Sequence, residues 1–224
     1  VFLFNDLNGK DANYSSNPKY IAEYLIDHHQ GEYEIIYPLG KKWNKPKIQG
    51  IKFIKLRSLK YYYHALTSKF FITTSGGISY MPFKKNQVVI NSWHGGGAFK
   101  KMGLDAIEDI HLKKALQLSE KKTDYFISSN EYFSKAIQTA FLIPQNKILE
   151  YGLPRNDVII NKKNHEEIES KVKSSFNIPK TKNIVLYAPT YRSPEESIFK
   201  KHTVGPYDID YNEVLKALKR KFGG

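Results

Sequence analysis

Cysteine is absent from the 224-residue chain, which excludes disulfides, zinc-thiolate sites and thiol catalysis. No apolar run approaches the roughly 20 residues that a membrane-spanning helix requires, and no sequence of secretion-signal type opens the chain. The expectation is a soluble or membrane-peripheral protein. Acidic residues are scarce: Asp+Glu number 22 against 35 Lys+Arg, a formal net charge of +13. Such a surplus favours polyanionic partners, whether nucleic acid, an anionic membrane or phosphate-bearing substrates. Internal repeats and low-complexity tracts are also missing. So are the Walker spacing and the G-x-G-x-x-G dinucleotide fingerprint. His28, His29, His64, His111, His165 and His202 lack metal-ligand spacing, and neither a metal site nor a cofactor is assigned.

What is present is enough to build a core, since 41% of the residues are hydrophobic. "VFLFNDL" at 1–7, "EYEIIYPL", "IKFIKL", "FFITTSGG", "QVVINSW", "TDYFISSN" and "KILEYGLP" read as strands from their β-branched and aromatic content. Helical spacing follows Asn17, the expected N-cap, with Pro18 at the first helical position. Further helices are expected over 61–70, 105–120 and after Asn130. Strands alternating with helices at this spacing predict a doubly wound parallel sheet, an α/β domain over about residues 1–160. Ligands of such sheets bind outside the carboxyl ends of the strands. A charged helix over 161–177 then leads to "TKNIVLYAPTYR", read as a strand, and to an amphipathic helix at 211–219. Residues 178–224 therefore read as the beginning of a second, incomplete domain.

The stretch "NSWHGGGAFKKMG" at 91–103 carries the sharpest chemistry. A strand running into Gly95, Gly96 and Gly97 and then a helix provides a turn where backbone N–H groups approach an anion, with Lys100 and Lys101 adding charge; a plain tight turn is the alternative. His94, whose residue type titrates near neutral pH, is a candidate base for an attacking hydroxyl. In "YGLPRND", Arg155 and Asn156 follow Pro154, and Arg155 is placed either to grip a phosphate bidentately or to pair with Asp157. "YAPTYR" sets Pro189 and Thr190 at a strand end, with Arg192 beyond them.

The order "SNPKYIAEYL", "WHG" with "KK-hydrophobic-G", "YGLPRND" and "VLYAPTYR" resembles the CDP-glycerol glycerophosphotransferase family, the teichoic acid primases and polymerases of Gram-positive bacteria. The resemblance spans nearly the whole chain; the departure is "WHGGGAFKK" where many members read "WHGTPLKK". It implies a two-domain glycosyltransferase B type fold with the active site in the cleft. It also implies metal-independent transfer of glycerol phosphate, or a related polyol phosphate, from CDP-glycerol or CDP-ribitol to a lipid-linked acceptor. His94 would then be the general base. Lys100 and Arg155 would hold anionic groups, and Pro189, Thr190 and Arg192 would line the cleft from the second domain.

On this reading the enzyme acts at the cytoplasmic face of the membrane, attached peripherally to an anionic surface, and has no specific nucleic-acid partner. Much of the family's donor site lies later than residue 224, so the chain alone is expected to lack turnover. Two alternatives stay open: a nucleotide-sugar glycosyltransferase of the same fold, and a noncatalytic module that binds anionic polymers.

Overall fold

Successive apolar residues of β2 (Ile35–Leu39) face opposite sides of the sheet, and all five of its residues are buried. Ile35, Tyr37 and Leu39 pack with Ala22 of α1 (Ser16–His28), whereas Ile36 packs with Tyr61 and Ala65 of α2 (Leu59–Thr67). Two helices on opposite faces leave no solvated side, which is why the strand reads as a continuous apolar run. This computed structural model describes residues 1–4, 12–40, 45–75, 78–186 and 210–222.

The seven strands are all parallel. They comprise β1 (Phe2–Phe4), β2, β3 (Ile51–Lys55), β4 (Phe70–Thr73), β5 (Val88–Asn91), β6 (Tyr125–Ile127) and β7 (Ile148–Leu149). Their order is β3-β2-β1-β4-β5-β6-β7, so the winding reverses between β1 and β4. At such a switch point the connections leave in opposite directions and a crevice opens at the carboxyl ends. Among the described residues no helix intervenes between β4 and β5; Ile78 and Met81 of that connection are buried and close the α2 face instead. Beyond β5 a second core forms from Leu116 of α4 (Ile110–Lys122), Phe126, Phe133, Ile137, Ala140 and Phe141 of α5 (Glu131–Phe141), and Ile148.

Several boundaries differ from the sequence reading, each for a local reason. The helix expected over 61–70 starts earlier, because Ser58 Oγ accepts the Tyr61 N–H at 3.2 Å and caps it. The single helix expected over 105–120 is two, α3 (Gly103–Ala106) and α4. Ile107 is extended, and Asp109 caps α4 by accepting from Leu112 N at 2.6 Å. Asn17 is not the cap of α1: Ser15 occupies that position, and Asn17 lies buried in the first turn.

Packing divides the chain into two units, Val1–His165 and Glu166–Gly224. The sheet belongs to the first, as do α6 (Asp157–Ile160) and the 3-10 turn Pro154–Asn156. The second holds nearly all of α7 (His165–Ser175), and α8 (Tyr211–Phe222). Lys173 of α7 is buried yet satisfied, donating to Lys180 O at 2.7 Å and pairing with Glu169 at 2.7 Å. The strand expected from "TKNIVLYAPTYR" does not form over its described part, 181–186, where Val185 and Leu186 are exposed. The rest of that segment, with Pro189, Thr190 and Arg192, lies outside the described residues.

Two predictions follow from local packing. Tyr37 donates its buried hydroxyl to Ser15 O at 3.1 Å and Asn13 O at 3.3 Å, and burial raises its phenol pKa. An acid whose folded pKa is raised contributes stability fully present below the unfolded value and lost as pH rises through and beyond about 10. Tyr37→Phe should therefore flatten the alkaline arm of a stability-pH profile and cost about 1 kcal/mol at neutral pH, measured by urea unfolding. Gly103 has φ +48°, and a Cβ there would collide with the Ala140 carbonyl oxygen on α5. Gly103→Ala should lower unfolding stability by about 2–5 kcal/mol in the same assay.

Candidate functional site

The carboxyl end of β5 is held by a dense set of short-range bonds. Ser92 N and Ser92 Oγ both donate to Thr73 O, at 2.8 and 2.9 Å, which fixes β5 against β4 past the end of the ladder. Asn91 Nδ2 donates to Ser75 O at 3.1 Å, while Asn91 Oδ1 accepts from Trp93 N at 2.9 Å. That Asx turn sets up an abrupt change of direction, and Trp93 takes a left-handed φ of +49°. A bulky residue rarely adopts this conformation, and its surroundings must hold it there. The indole does so by packing on Phe141 at 4.6 Å between ring centroids and joining the second core.

The reversal at Trp93 brings the His94 ring to the end of β4, where Nδ1 lies 2.8 Å from Thr74 O. A carbonyl can only accept, so Nδ1 carries the proton and Nε2 keeps its lone pair. The ring also stacks on Trp93 at 4.2 Å and 29°, so its plane is fixed as well as its tautomer. His94 is half-buried, with its position set by backbone and its basic nitrogen uncommitted to Thr74. An imidazole held this way, oriented through Nδ1 and partly exposed, has the geometry that proton transfer through Nε2 requires.

Asn17 ties this corner to the rest of the carboxyl edge. Its fully buried carboxamide donates to Ser92 O at 2.8 Å and to Trp93 O at 2.9 Å, and accepts the Arg155 N–H at 3.3 Å. One side chain from α1 thus joins the β5 corner to the Pro154–Asn156 turn. Arg155 and Asn156 are half-buried, and Arg155 makes no ion pair among the described residues, so the expected alternative of a bridge to Asp157 is not formed.

The three glycines do not lead straight into a helix; irregular backbone continues to Gly103, and α3 is only four residues long. The helix-terminal anion cradle expected at this point is therefore not formed by α3. Gly96 has a packing reason to be glycine, since a Cβ would lie 3.2 Å from Leu153 Cδ1, and its carbonyl accepts from Ser129 Oγ. A Cβ at Gly95 would make only an ordinary contact, 3.8 Å from the Trp93 indole nitrogen, so packing does not require glycine there. Lys100 is exposed on the same segment. Among the described residues no group of three or more His, Asp or Glu side chains is arranged to hold a metal ion.

The structure thus brings together His94, Gly95, Gly96, Arg155 and Asn156. The sequence reading missed Asn17 as a tie, Asn91 as the turn maker, Ser129 and the Thr74 carbonyl. Polar residues clustered at the ends of apolar runs ("INS", "TTS", "ISSN") were the available signal, because buried polar groups there must find partners.

The family model of CDP-glycerol:poly(glycerophosphate) glycerophosphotransferases matches residues 3–222. The chain is 29% identical, over 97% of its length, to a teichoic acid poly(glycerol phosphate) polymerase of Staphylococcus epidermidis, of which it covers 30%. It is 31% identical, over 99% of its length, to the protein of the same description from Bacillus subtilis, of which it covers 29%. The solved structure of the wall teichoic acid polymerase TagF superposes with a TM-score of 0.80 at 27% identity, over 98% of this chain and 54% of that one. The chain thus spans from under a third to about half of these relatives.

Removing the central tie tests the geometry of the corner. Asn17→Ala leaves two carbonyls and one N–H without their partner in a buried place, and should cost about 2–5 kcal/mol in urea unfolding. Asn17→Asp, which keeps the acceptor and loses both donors, should be at least as damaging.

Proposed function

The chain belongs to the CDP-glycerol:poly(glycerophosphate) glycerophosphotransferase family, and from that premise we propose that it transfers glycerol phosphate from CDP-glycerol to a hydroxyl of a lipid-linked acceptor in teichoic acid synthesis. A related polyol donor, CDP-ribitol, would meet the same chemistry. The single observation that carries this reading is the His94 ring, held through Nδ1 by Thr74 O with Nε2 left basic.

In the proposed step, Nε2 takes the proton of the acceptor hydroxyl as its oxygen attacks the phosphorus that bears glycerol. A new P–O bond forms, the pyrophosphate P–O bond breaks, and CMP leaves with the bonding electrons. The imidazolium is stabilised by the bond Nδ1 already makes, and no ring movement is needed. Charge on the phosphates needs fixed cations or N–H groups, for which Arg155, Lys100 and the backbone of Gly95 and Gly96 are the candidates. Asn156 would support the Arg155 turn. Pro189, Thr190 and Arg192, whose proposed role is on the nucleotide-donor side, lie outside the described residues.

In this reading the sheet of Val1–His165 is the acceptor-side half of a glycosyltransferase B type fold, and residues 178–224 open the nucleotide-donor half. No helix among the described residues is long and apolar enough to cross a membrane. Attachment to the cytoplasmic face is proposed to be peripheral and electrostatic, drawing on the net charge of +13.

The test is CMP release from CDP-glycerol and CDP-ribitol by the full-length protein with a membrane acceptor. His94→Ala should lower the rate by about a hundredfold to ten-thousandfold while CDP-glycerol binding by calorimetry is kept. A variant as fast as the wild type would remove His94 from the reaction.

A further inference from the structure

The positive charge is not spread along the chain. Residues 35–104 contain no Asp or Glu and carry 13 Lys+Arg, equal to the whole formal surplus, so the remainder of the chain is balanced. That acid-free stretch builds β2 to β5 and α2. Its field reaches its own titratable group, for burial and then Lys52 hold His64 on α2 below the ordinary imidazole value, with Lys60 acting in the same sense and Glu34 opposing.

Charge alone would suit any polyanion, and lysines on the edge strand β3, such as Lys52 and Lys55, also guard a sheet edge against pairing. The apolar residues among them have no such explanation. Helix α2 buries Tyr61 and Ala65 and turns Leu59, Tyr62 and Tyr63 outward, with 90%, 42% and 65% of their surface exposed. Spacing of i, i+3 and i+4 places these three on one stripe, with Lys60 beside it and Lys55 and Arg57 just before it. Tyr80, 65% exposed, belongs to the β4–β5 connection that packs into the same core face.

We propose that the outer face of α2, flanked by Lys55, Arg57 and Lys60, is the surface on which this protein seats itself on an anionic lipid bilayer. The inference rests on the membrane-side reading given above and adds the place. A soluble polyanion would be recognised by cations alone. Leucine and tyrosine, by contrast, gain free energy at the headgroup boundary, where a ring is buried and its hydroxyl stays wet. The position also suits the reaction. Because the strands are parallel, the carboxyl end of β3, where α2 starts, lies at the same edge of the sheet as the carboxyl end of β5, where His94 sits. A lipid-linked acceptor held in the bilayer would then emerge at the edge that carries the base.

The experiment is flotation with phosphatidylcholine vesicles, with and without phosphatidylglycerol. Three variants are compared with the wild type: Lys55→Gln/Arg57→Gln/Lys60→Gln, Leu59→Ser/Tyr62→Ser/Tyr63→Ser, and a control of equal charge loss on α4, Lys113→Gln/Lys114→Gln/Lys121→Gln. Circular dichroism checks that each is folded. The α2 variants should each lose about tenfold or more in partitioning to phosphatidylglycerol vesicles, and the control less than about threefold. Wild-type protein that ignores such vesicles would overturn the membrane reading and this surface together. Binding that all three variants retain equally would overturn the surface alone. Loss in the cationic variant with none in the apolar one, matched by full displacement with soluble polyphosphate, would overturn the lipid in favour of a polyanionic polymer.

Discussion

A buried carboxamide with three committed bonds holds the candidate site together. Asn17 reaches from the first turn of α1 to two consecutive carbonyls after β5 and to the N–H of Arg155, 138 residues away along the chain. Each of those backbone groups lies past the end of regular structure, where no ladder satisfies it. Burying them unpaired would cost more than any of the bonds returns, so the site is stable only when all the segments meet. The conformation of Trp93 depends on the same tie, since its carbonyl is one of the groups held.

Strain and stacking convert that tie into chemistry. The left-handed turn at Trp93 is opposed by sterics and sustained by Asn91, Asn17 and the aromatic bed of Phe126 and Phe141. Its product is a histidine whose tautomer is set by a main-chain carbonyl, which cannot itself titrate. The Gly103 docking on Ala140 secures the far end of the glycine segment, so the loop that follows His94 is anchored at both ends.

The basic half of the sheet and the candidate corner share an architecture. Parallel strands put every carboxyl end on one edge, so a surface that begins at β3 and a histidine that follows β5 are drawn to the same side without any sequence proximity. Under the proposed function that coincidence matters, because bilayer and base would have to approach one substrate together.

Sequence by itself determined the parallel α/β class, because β-branched runs and helical spacing alternate and a central strand such as β2 is apolar and buried at every position. It also determined the family, because the order of short motifs is specific where each motif alone is not. His94 was legible for its position at the end of an apolar run. The roles of Asn17, Asn91, Ser129 and the Thr74 carbonyl were decided only by the tertiary structure. Their partners lie up to 138 residues distant, and hydrogen bonds between chain segments leave no periodicity to read. The same holds for α2: its tyrosines looked like helix residues of unknown facing, and only packing of Tyr61 and Ala65 inward showed that Leu59, Tyr62 and Tyr63 face out. Local propensity writes the elements, whereas the satisfaction of buried polar groups and the choice of which face to bury are settled by the whole fold at once.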